Sequence, residues 1–346
     1  MFASRFYNIV IPVISVILGL IAGAIIMLLF GYNPISGYAA LWNGAFGDLY
    51  FTGETIVKVT PYILSGVAVA FAFRTGLFNI GVEGQVFVGW LAAVWVGVGI
   101  DLPMILHLPL AILAAAVAGG LWGFVPGFLK AKFRVHEVIV SIMMNYIALY
   151  TCNALIRSVI TDNEDKTEKV ADTASLASEW LTQLTFSRLH YGFLIALIGA
   201  FLMWFILEKT TKGYELRSVG FNQSASKYAG MNVDRNIVLS FVISGAFAGV
   251  AGAMQGLGTF QFMSVNSGFT NIGFDGIAVA LLGGNTALGS VLGAFLFGTL
   301  KVGALNMPSA GVPKELVDIV VALIIFFVAS SYIIRWFLLR SKKEGK

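Results

Sequence analysis

The sequence predicts an all-α membrane protein of about ten transmembrane helices, and three observations support this fold class. Hydrophobic residues make up 58% of the 346 positions and charged residues 12%, whereas about a quarter of an average soluble domain is charged. The mean hydropathy is +0.85. Apolar runs of about 20 residues, the length that crosses a bilayer, follow one another along the chain. We therefore expect a single transmembrane domain over residues 1–346.

Ten segments are candidate membrane-spanning helices. The first is too long for a signal peptide and has no clear cleavage site, so we expect it to be retained as a helix. The eighth is short and rich in glycine, which indicates a re-entrant or broken element. An even number of spans puts both termini on the same side of the membrane. The ten segments cover residues 9–30, 56–73, 85–100, 105–129, 137–157, 191–208, 236–259, 275–283, 287–306 and 315–337.

The distribution of basic residues predicts the orientation, because positive charge favours the cytoplasmic ends of spans. With the N-terminus inside, most of the 22 Lys and Arg residues fall in cytoplasmic segments, while the first external loop, residues 31–54, has neither. We therefore expect a multi-pass protein of the plasma membrane with both termini in the cytoplasm. The net charge of +4 follows from this bias, so we expect membrane lipid, but no nucleic acid, as a partner.

Two hydrophilic segments are longer than a simple connection requires. The external segment, residues 158–190, is mostly acidic and is either a solvated loop or a docking surface for an extracellular partner. The cytoplasmic segment, residues 209–235, is punctuated by glycines and contains a predicted short helix, with Asn222 as N-cap and Gly230 as C-cap. Its small and aromatic side chains predict an interaction site.

A polar, glycine-rich interruption between Gly76 and Gln85 lies between two apolar segments. A membrane helix satisfies its own backbone, so a break with this composition is expected to face protein or a water-filled cavity. Broken membrane helices commonly mark the route of a solute. A second small-residue stretch, 273–289, predicts a similar break and an internal repeat. Candidate residues of the translocation pathway are Asn79, Glu83, Gln85, Asn145, Asp275 and Asn285.

Glu83 and Asn145 each have two readings. A carboxylate in hydrocarbon must be paired, hydrated or protonated, so Glu83 is either a pathway or gate residue or a structural group that caps a half-helix or pairs with Arg74. Asn145 either forms an interhelical hydrogen bond or contacts the passing solute. Asp275 and Asn285 have the same alternatives.

The sequence offers no site for metal or nucleotide chemistry. Three histidines lie far apart near predicted span ends, and the only cysteine, Cys152, falls in an apolar run. No glycine-rich stretch ends in the Gly-Lys-Ser/Thr of a phosphate-binding loop. We therefore expect no cofactor in this chain and no catalytic residues, and any ATP is used by a partner subunit.

Four blocks resemble one family of membrane permeases. They are Thr75–Gln85, Glu137–Ala148, Gly213–Val233 and Asp275–Gly283, and they occur in the family's order and at similar spacing. They are similar to the permease subunits of ABC importers for simple sugars and nucleosides (the branched-chain amino acid/ribose-type permeases), above all to bacterial nucleoside permeases.

The resemblance implies inverted internal halves and three protein partners: a cytoplasmic ABC ATPase, a second homologous permease chain and an extracellular substrate-binding lipoprotein. It implies an importer that works by alternating access, for nucleosides or, as the alternative, simple sugars. An ion-coupled secondary transporter is the competing class, with Glu83 as its protonatable group. The resemblance also implies residues that couple the permease to the ATPase, namely Gly220, Asn222, Ala225, Tyr228, Ala229 and Gly230.

Overall fold

The computed structural model describes residues 2–161 and 163–330. The α-helices in these ranges are α1 (Phe2–Leu29), α2 (Pro34–Phe46), α3 (Leu49–Arg74), α4 (Val82–Gly99), α5 (Met104–Phe133), α6 (Glu137–Leu155), α7 (Glu179–Thr185), α8 (Gly192–Lys209), α9 (Thr211–Phe221), α10 (Gln223–Tyr228), α11 (Val233–Ala253), α12 (Ile272–Leu282), α13 (Ala287–Gly303) and α14 (Lys314–Ala329). The π-helical turns Ile156–Ile160 and Met254–Thr259 continue α6 and α11.

The prediction of an all-α, multi-pass membrane protein is confirmed. Seven helices in the described part of the chain are long and apolar enough to cross a membrane, and α12 is a shorter apolar helix. The predicted span at 315–337 begins as α14, while its last residues and the basic C-terminal tail lie outside the described residues.

The N-terminal region differs from the prediction in two places. Helix α2 lies within the predicted loop 31–54, and it begins where Pro34 follows Asn33, whose side chain accepts a hydrogen bond from the Ile35 N–H at 2.9 Å. Helix α3 begins at Leu49 because Asp48 accepts a hydrogen bond from the Phe51 N–H at 2.8 Å. Both starts are N-cap arrangements, which the search for long apolar runs could not detect.

The chain forms two compact units, one of Met1–Thr55 with Phe295–Lys346 and the other of Ile56–Ala294. In the first unit α1 packs against α14, and a buried cluster that includes Met27, Val320 and Ile324 lies between them. The second unit contains both predicted breaks and all the candidate site residues. It is called the site unit below.

Three helices of the site unit pack backbone to backbone. A methyl group on Gly89 of α4 would lie 2.3 Å from the Gly249 Cα of α11, and one on Gly119 of α5 would lie 2.3 Å from the Gly245 carbonyl oxygen. Such distances exclude any side chain larger than hydrogen. Small residues commonly let membrane helices approach this closely, because packing replaces the hydrophobic effect there. We call α4, α5 and α11 the glycine-packed trio.

Candidate functional site

The first break is a short non-helical segment, residues 75–81, between α3 and α4. Gly76 has a φ of +74°, which a residue with a Cβ rarely adopts. The Gly76 and Leu77 N–H groups bond to carbonyl oxygens of the last turn of α3, both at 3.0 Å. Thr75 also bonds through its hydroxyl to that turn and to Ser240. The break is therefore a defined helix end, as the sequence predicts.

Asn79 and Gln85 are buried in one polar cluster with Ser244. The Asn79 side-chain amide donates to Gln85 Oε1 and to Ser244 Oγ, both at 2.9 Å. Its own oxygen accepts from the Gly81 N–H at 3.0 Å. The Ser244 hydroxyl donates in turn to the Ala68 carbonyl at 2.7 Å. These bonds tie the break to α3 and α11.

Asn145 is buried and bonds to the backbone of the break from α6. Its oxygen accepts from the Gly84 N–H at 2.8 Å, and its amide donates to the Ile80 carbonyl at 3.0 Å. The interhelical reading of Asn145 is therefore what the contacts show. Because Gly84 lies in the first turn of α4, Asn145 also satisfies a donor that the helix itself leaves unpaired.

Glu83 lies between the first turns of α4 and α12. Its side chain is fully buried. Oε1 accepts from Thr270 Oγ1 and from the Asn271 N–H, both at 2.8 Å. Oε2 accepts from the Gly273 N–H at 2.6 Å. The carboxylate thus caps α12 and stands at the positive ends of two helix dipoles, which stabilise an anion.

The predicted alternative pairing of Glu83 with Arg74 is wrong. Arg74 instead pairs with Glu208, which also accepts from Arg217 Nη1 at 2.8 Å. Arg74 and Glu208 lie in the last turns of α3 and α8. The capping alternative for Glu83 is the one that the geometry supports.

The second break lies before α12 rather than along 273–289. Residues 260–271 are largely non-helical, whereas most of the predicted stretch forms α12 and the start of α13. The remaining interruption is the turn 283–286, in which Gly284 and Asn285 have φ values of +59° and +54°. The sequence signal failed because small apolar residues such as Gly276, which contacts Ser65, pack tightly without breaking the helix.

Asp275 and Asn285 do not lie together. Asp275 is in the first turn of α12, where its Oδ2 accepts from the Tyr62 hydroxyl at 2.8 Å. Asn285 follows the other end of the same helix, about 10 Å along its axis from Asp275. The structure therefore brings Asn79, Glu83, Gln85, Asn145 and Asp275 into one region around the starts of α4 and α12, and it leaves Asn285 apart.

The short helix predicted in the 209–235 segment is α10. Asn222 is its N-cap and accepts from the Ala225 N–H at 3.0 Å. After Tyr228 and Ala229 the helix ends at Gly230, which has a φ of +82°. Tyr228 is 95% exposed and the preceding Phe221 is 90% exposed. These caps confirm the predicted helix, and the exposed aromatic rings leave an apolar surface beside it.

The prediction that Gly213 and Gly220 interrupt this segment is wrong. Both residues lie inside α9. A Cβ on Gly220 would lie 2.5 Å from the Thr75 carbonyl carbon, and a Cβ on Gly76 would lie 2.5 Å from the Gly220 Cα. Gly220 is therefore required for close approach and not for a turn. The contact joins α9 directly to the first break.

The 158–190 segment is held to the chain that follows α11. The N–H groups of Thr167, Val170 and Leu176 bond to backbone carbonyls of residues 257–263 at 2.8 to 2.9 Å. It is therefore an ordered cover over that region and not only a solvated loop. Its predicted role as a docking surface stays a prediction.

Sequence reasoning missed Tyr62, Ser244 and Thr270, which bond to the predicted residues Asp275, Asn79 and Glu83. A lone hydroxyl in an apolar run gives no signal of its partner when that partner is over 150 positions away. His107, one of the three histidines, bonds to protein groups and not to a metal-binding cluster: its ring nitrogens bond to Thr173 and the Val96 carbonyl at 2.8 and 3.0 Å. Among the described residues, no three metal-ligating side chains cluster.

Comparison with known proteins places these features in a family. The family described as "Branched-chain amino acid transport system / permease component" matches residues 51–329. The guanosine ABC transporter permease protein NupP of Bacillus subtilis (strain 168) is 64% identical, over 99% of both chains. The nucleoside ABC transporter permease protein NupB of Lactococcus lactis subsp. cremoris (strain MG1363) is 41% identical, over 97% of this chain and 94% of its own.

A third relative is a second permease of B. subtilis. The guanosine ABC transporter permease protein NupQ is 27% identical, over 70% of this chain and 78% of its own. All three relatives are transport subunits, and the family match spans the first break, α9, α10 and α12. The resemblance carried by the four sequence blocks is thereby confirmed. The chain belongs to the family of permease components of branched-chain amino acid transport systems and is a membrane transport subunit rather than an enzyme.

Proposed function

We propose that this chain is one of two permease chains of an ATP-driven importer and that its substrate is a nucleoside. The similarity to NupP and NupB supports the substrate class, because both matches run nearly end to end. The similarity to NupQ supports a second, related permease as partner. The other partners in this proposal are a cytoplasmic ATPase, which uses the ATP, and an external substrate-binding lipoprotein. In this proposal the chain itself needs no cofactor.

The contact between Gly220 and Gly76 is the observation that best supports transport driven by an ATPase bound at the membrane surface. In this proposal α10 and the exposed rings of Phe221 and Tyr228 dock on the ATPase. Movement of α9 then reaches the first break through the backbone contact at Gly220 and through the Arg74–Glu208–Arg217 ion pairs. Because backbone atoms touch without intervening side chains, little of that movement is absorbed by rotamer changes.

The predicted pathway residues act, in this proposal, by positioning. Asn79, Gln85 and Asn145 fix the first break, and Glu83 fixes the start of α12 against it. Each buried polar group that they satisfy is expected to be costly to leave unpaired. Alternating access then involves movement of these anchored helix starts as ATP binds and leaves the partner.

The proposal includes the orientation of the chain, with both termini on the cytoplasmic side of a bacterial plasma membrane. This places the 209–235 segment beside the ATPase and the 158–190 segment on the side of the lipoprotein. Protease digestion of a C-terminal tag in right-side-out and inside-out vesicles tests it. Cleavage only in inside-out vesicles is expected, and cleavage only in right-side-out vesicles contradicts the orientation.

Reconstitution of the importer in liposomes tests the function. Uptake of labelled guanosine is expected only when this chain, the second permease, the ATPase, the lipoprotein and ATP are all present. Uptake by the lone chain that collapses with an ionophore instead identifies a secondary transporter. Transport of simple sugars without nucleosides identifies the sugar alternative.

A further inference from the structure

One side of α6 is uncovered in the site unit at mid-membrane depth. Asn145 and Ala148 are buried on the inner side of the helix. Tyr146 is 47% exposed on the other side and lies nine residues after Glu137, about 14 Å into a bilayer core of about 30 Å. We call this side the α6 face; its exposed residues are Ile139, Met143, Tyr146, Ile147 and Tyr150.

The non-helical segment 260–271 lies beside the α6 face. The Phe269 ring packs edge-on against the Tyr146 ring, with centroids 5.0 Å apart. Phe269 also contacts Phe274, at 5.6 Å. Asn266 exchanges hydrogen bonds with Asn153 nearer the end of α6, so the segment runs along α6 from that end to Phe269, which lies beside Tyr146. Asn271, at its end, is exposed.

Lipid does not suit this surface. Non-helical backbone at membrane depth is tolerated only where it is buried in protein or lines a water-filled cavity. Tyr146 and Asn271 are exposed residues, and their polar side-chain groups require hydrogen bonds that hydrocarbon does not supply. In contrast, Leu113, Val117 and Leu121 on the exposed side of α5 present only apolar atoms. A hydrated path suits the polar groups of Tyr146 and Asn271 better than lipid does.

We propose that Tyr146 and Asn271 line the nucleoside path, with the Tyr146 ring contacting the base and the Asn271 amide bonding to its polar edge or to the ribose. The proposal rests on the nucleoside function proposed above. Aromatic rings bind nucleobases by stacking, largely independent of base identity. An amide both donates and accepts hydrogen bonds, so Asn271 matches the mixed edges of a nucleoside.

The buried site residues hold both groups in place. Asn145, next to Tyr146, bonds to the Gly84 N–H. Glu83, next to Gly84, accepts from the Asn271 N–H at 2.8 Å. The backbone of Asn271 has a φ of +64°, which asparagine tolerates better than most residues. The polar residues that the sequence singled out thus position the exposed pair without contacting the solute themselves.

Thiol labelling tests whether the surface is hydrated. Cys152 is the only cysteine and is buried, so Cys152→Ala gives a background for single-cysteine variants of the complete importer. Tyr146→Cys is expected to react with a membrane-impermeant maleimide, and guanosine during turnover is expected to slow that reaction severalfold. The control, Leu121→Cys, lies at mid-helix on the exposed side of α5 and is expected to stay unlabelled. A Tyr146→Cys variant that stays as unlabelled as Leu121→Cys would overturn the proposal, because lipid or a second chain then covers the α6 face.

Uptake measurements test the contact with the solute. Tyr146→Ala is expected to lower guanosine uptake at subsaturating concentration about fivefold or more, which is the lower range for loss of one stacked base. Tyr146→Phe keeps the ring and is expected to retain most uptake. Asn271→Gly keeps the left-handed backbone, removes the amide and is expected to lower uptake without lowering the amount of assembled importer.

The result separates this inference from the proposed function. If the parent importer takes up no nucleoside, the proposed function fails. If it takes up guanosine normally and both Tyr146→Ala and Asn271→Gly match it, the function stands and the path lies elsewhere. Protection of the Tyr146→Cys thiol by guanosine supports both, because a purely structural residue shows no protection.

Discussion

The carboxylate of Glu83 accepts a hydrogen bond from the backbone N–H of Gly273 at 2.6 Å, so the first turns of α4 and α12 share one anion. A methyl group on Gly273 would lie 2.3 Å from the Glu83 nitrogen. The two helix starts are therefore in backbone contact as well as hydrogen-bonded, although 190 residues separate Glu83 and Gly273 in sequence.

We expect Glu83→Gln to destabilise the protein by about 1–3 kcal/mol, because an amide loses the charge and replaces one acceptor oxygen with a donor, leaving buried N–H groups unpaired. Thermal unfolding in detergent measures this loss. Glu164→Gln, on an exposed residue, is the control and is expected to unfold like the parent protein. A Glu83→Gln variant that keeps its stability but loses all transport contradicts the positioning role and restores Glu83 as a direct pathway group.

We expect Gly220→Ala to impair coupling, since its Cβ would overlap the Thr75 carbonyl carbon at 2.5 Å and force α9 from the first break. The expected result is ATP hydrolysis that guanosine-loaded binding protein no longer stimulates. Gly99→Ala is the matched control, because its Cβ meets only Trp95 at an ordinary 3.8 Å. Stimulated hydrolysis at the parent level in Gly220→Ala would show that this contact carries no movement.

We expect Tyr228→Ala to leave the fold unchanged and to weaken binding of the ATPase, because the ring is almost fully exposed and packs on nothing that the permease needs. Exposed aromatic residues are frequent anchors of protein interfaces, where truncation costs about 2 kcal/mol or more. Co-purification of the ATPase at rising detergent and salt measures the loss. Trp180→Ala, an exposed aromatic residue on α7, is the control. Full retention of the ATPase by Tyr228→Ala would remove this residue from the docking surface.

We expect Asn285→Gly to be tolerated in both stability and uptake. The left-handed backbone at Asn285 suits glycine, and the Asn285 Oδ1 is buried without a hydrogen-bond partner. Removing it is expected to change the free energy of unfolding by about 1 kcal/mol or less, in the stabilising direction if at all. Asn285→Val adds a β-branched side chain at positive φ and is expected to destabilise. Strong loss of uptake in a stable Asn285→Gly variant would return Asn285 to the pathway.

The sequence predicts the helices far better than their contacts. Hydropathy finds the spans because the bilayer requires long apolar runs, and the Asn222 and Gly230 caps follow from local backbone chemistry. Hydropathy misses α2 because this helix is short and lies in a segment with polar residues. It misplaces the second break because glycine in a membrane serves close packing as often as it serves a turn.

The site is predicted in composition but not in role. The polar residues stand out among apolar neighbours, so Glu83, Asn79 and Asn145 are easy to select. Apart from Gln85 and Gly81, which bond to Asn79, their partners lie 61 to 190 positions away. Several of these partners are backbone N–H groups, which no side-chain pattern reveals. Tyr146 is not a sequence candidate because tyrosine in a membrane helix usually marks an interface. Only the exposed α6 face and the adjoining non-helical segment indicate a contact with the solute.

The glycine-packed trio has a mechanical consequence. The backbones of α4, α5 and α11 touch at Gly89–Gly249 and Gly119–Gly245, which leaves no space for side chains between them. We therefore expect these three helices to move as one rigid body. We expect no solute path between these three helices. We therefore expect opening to occur along the flanks of the trio, where Asn145 of α6 and Gly273 of α12 bond to the start of α4.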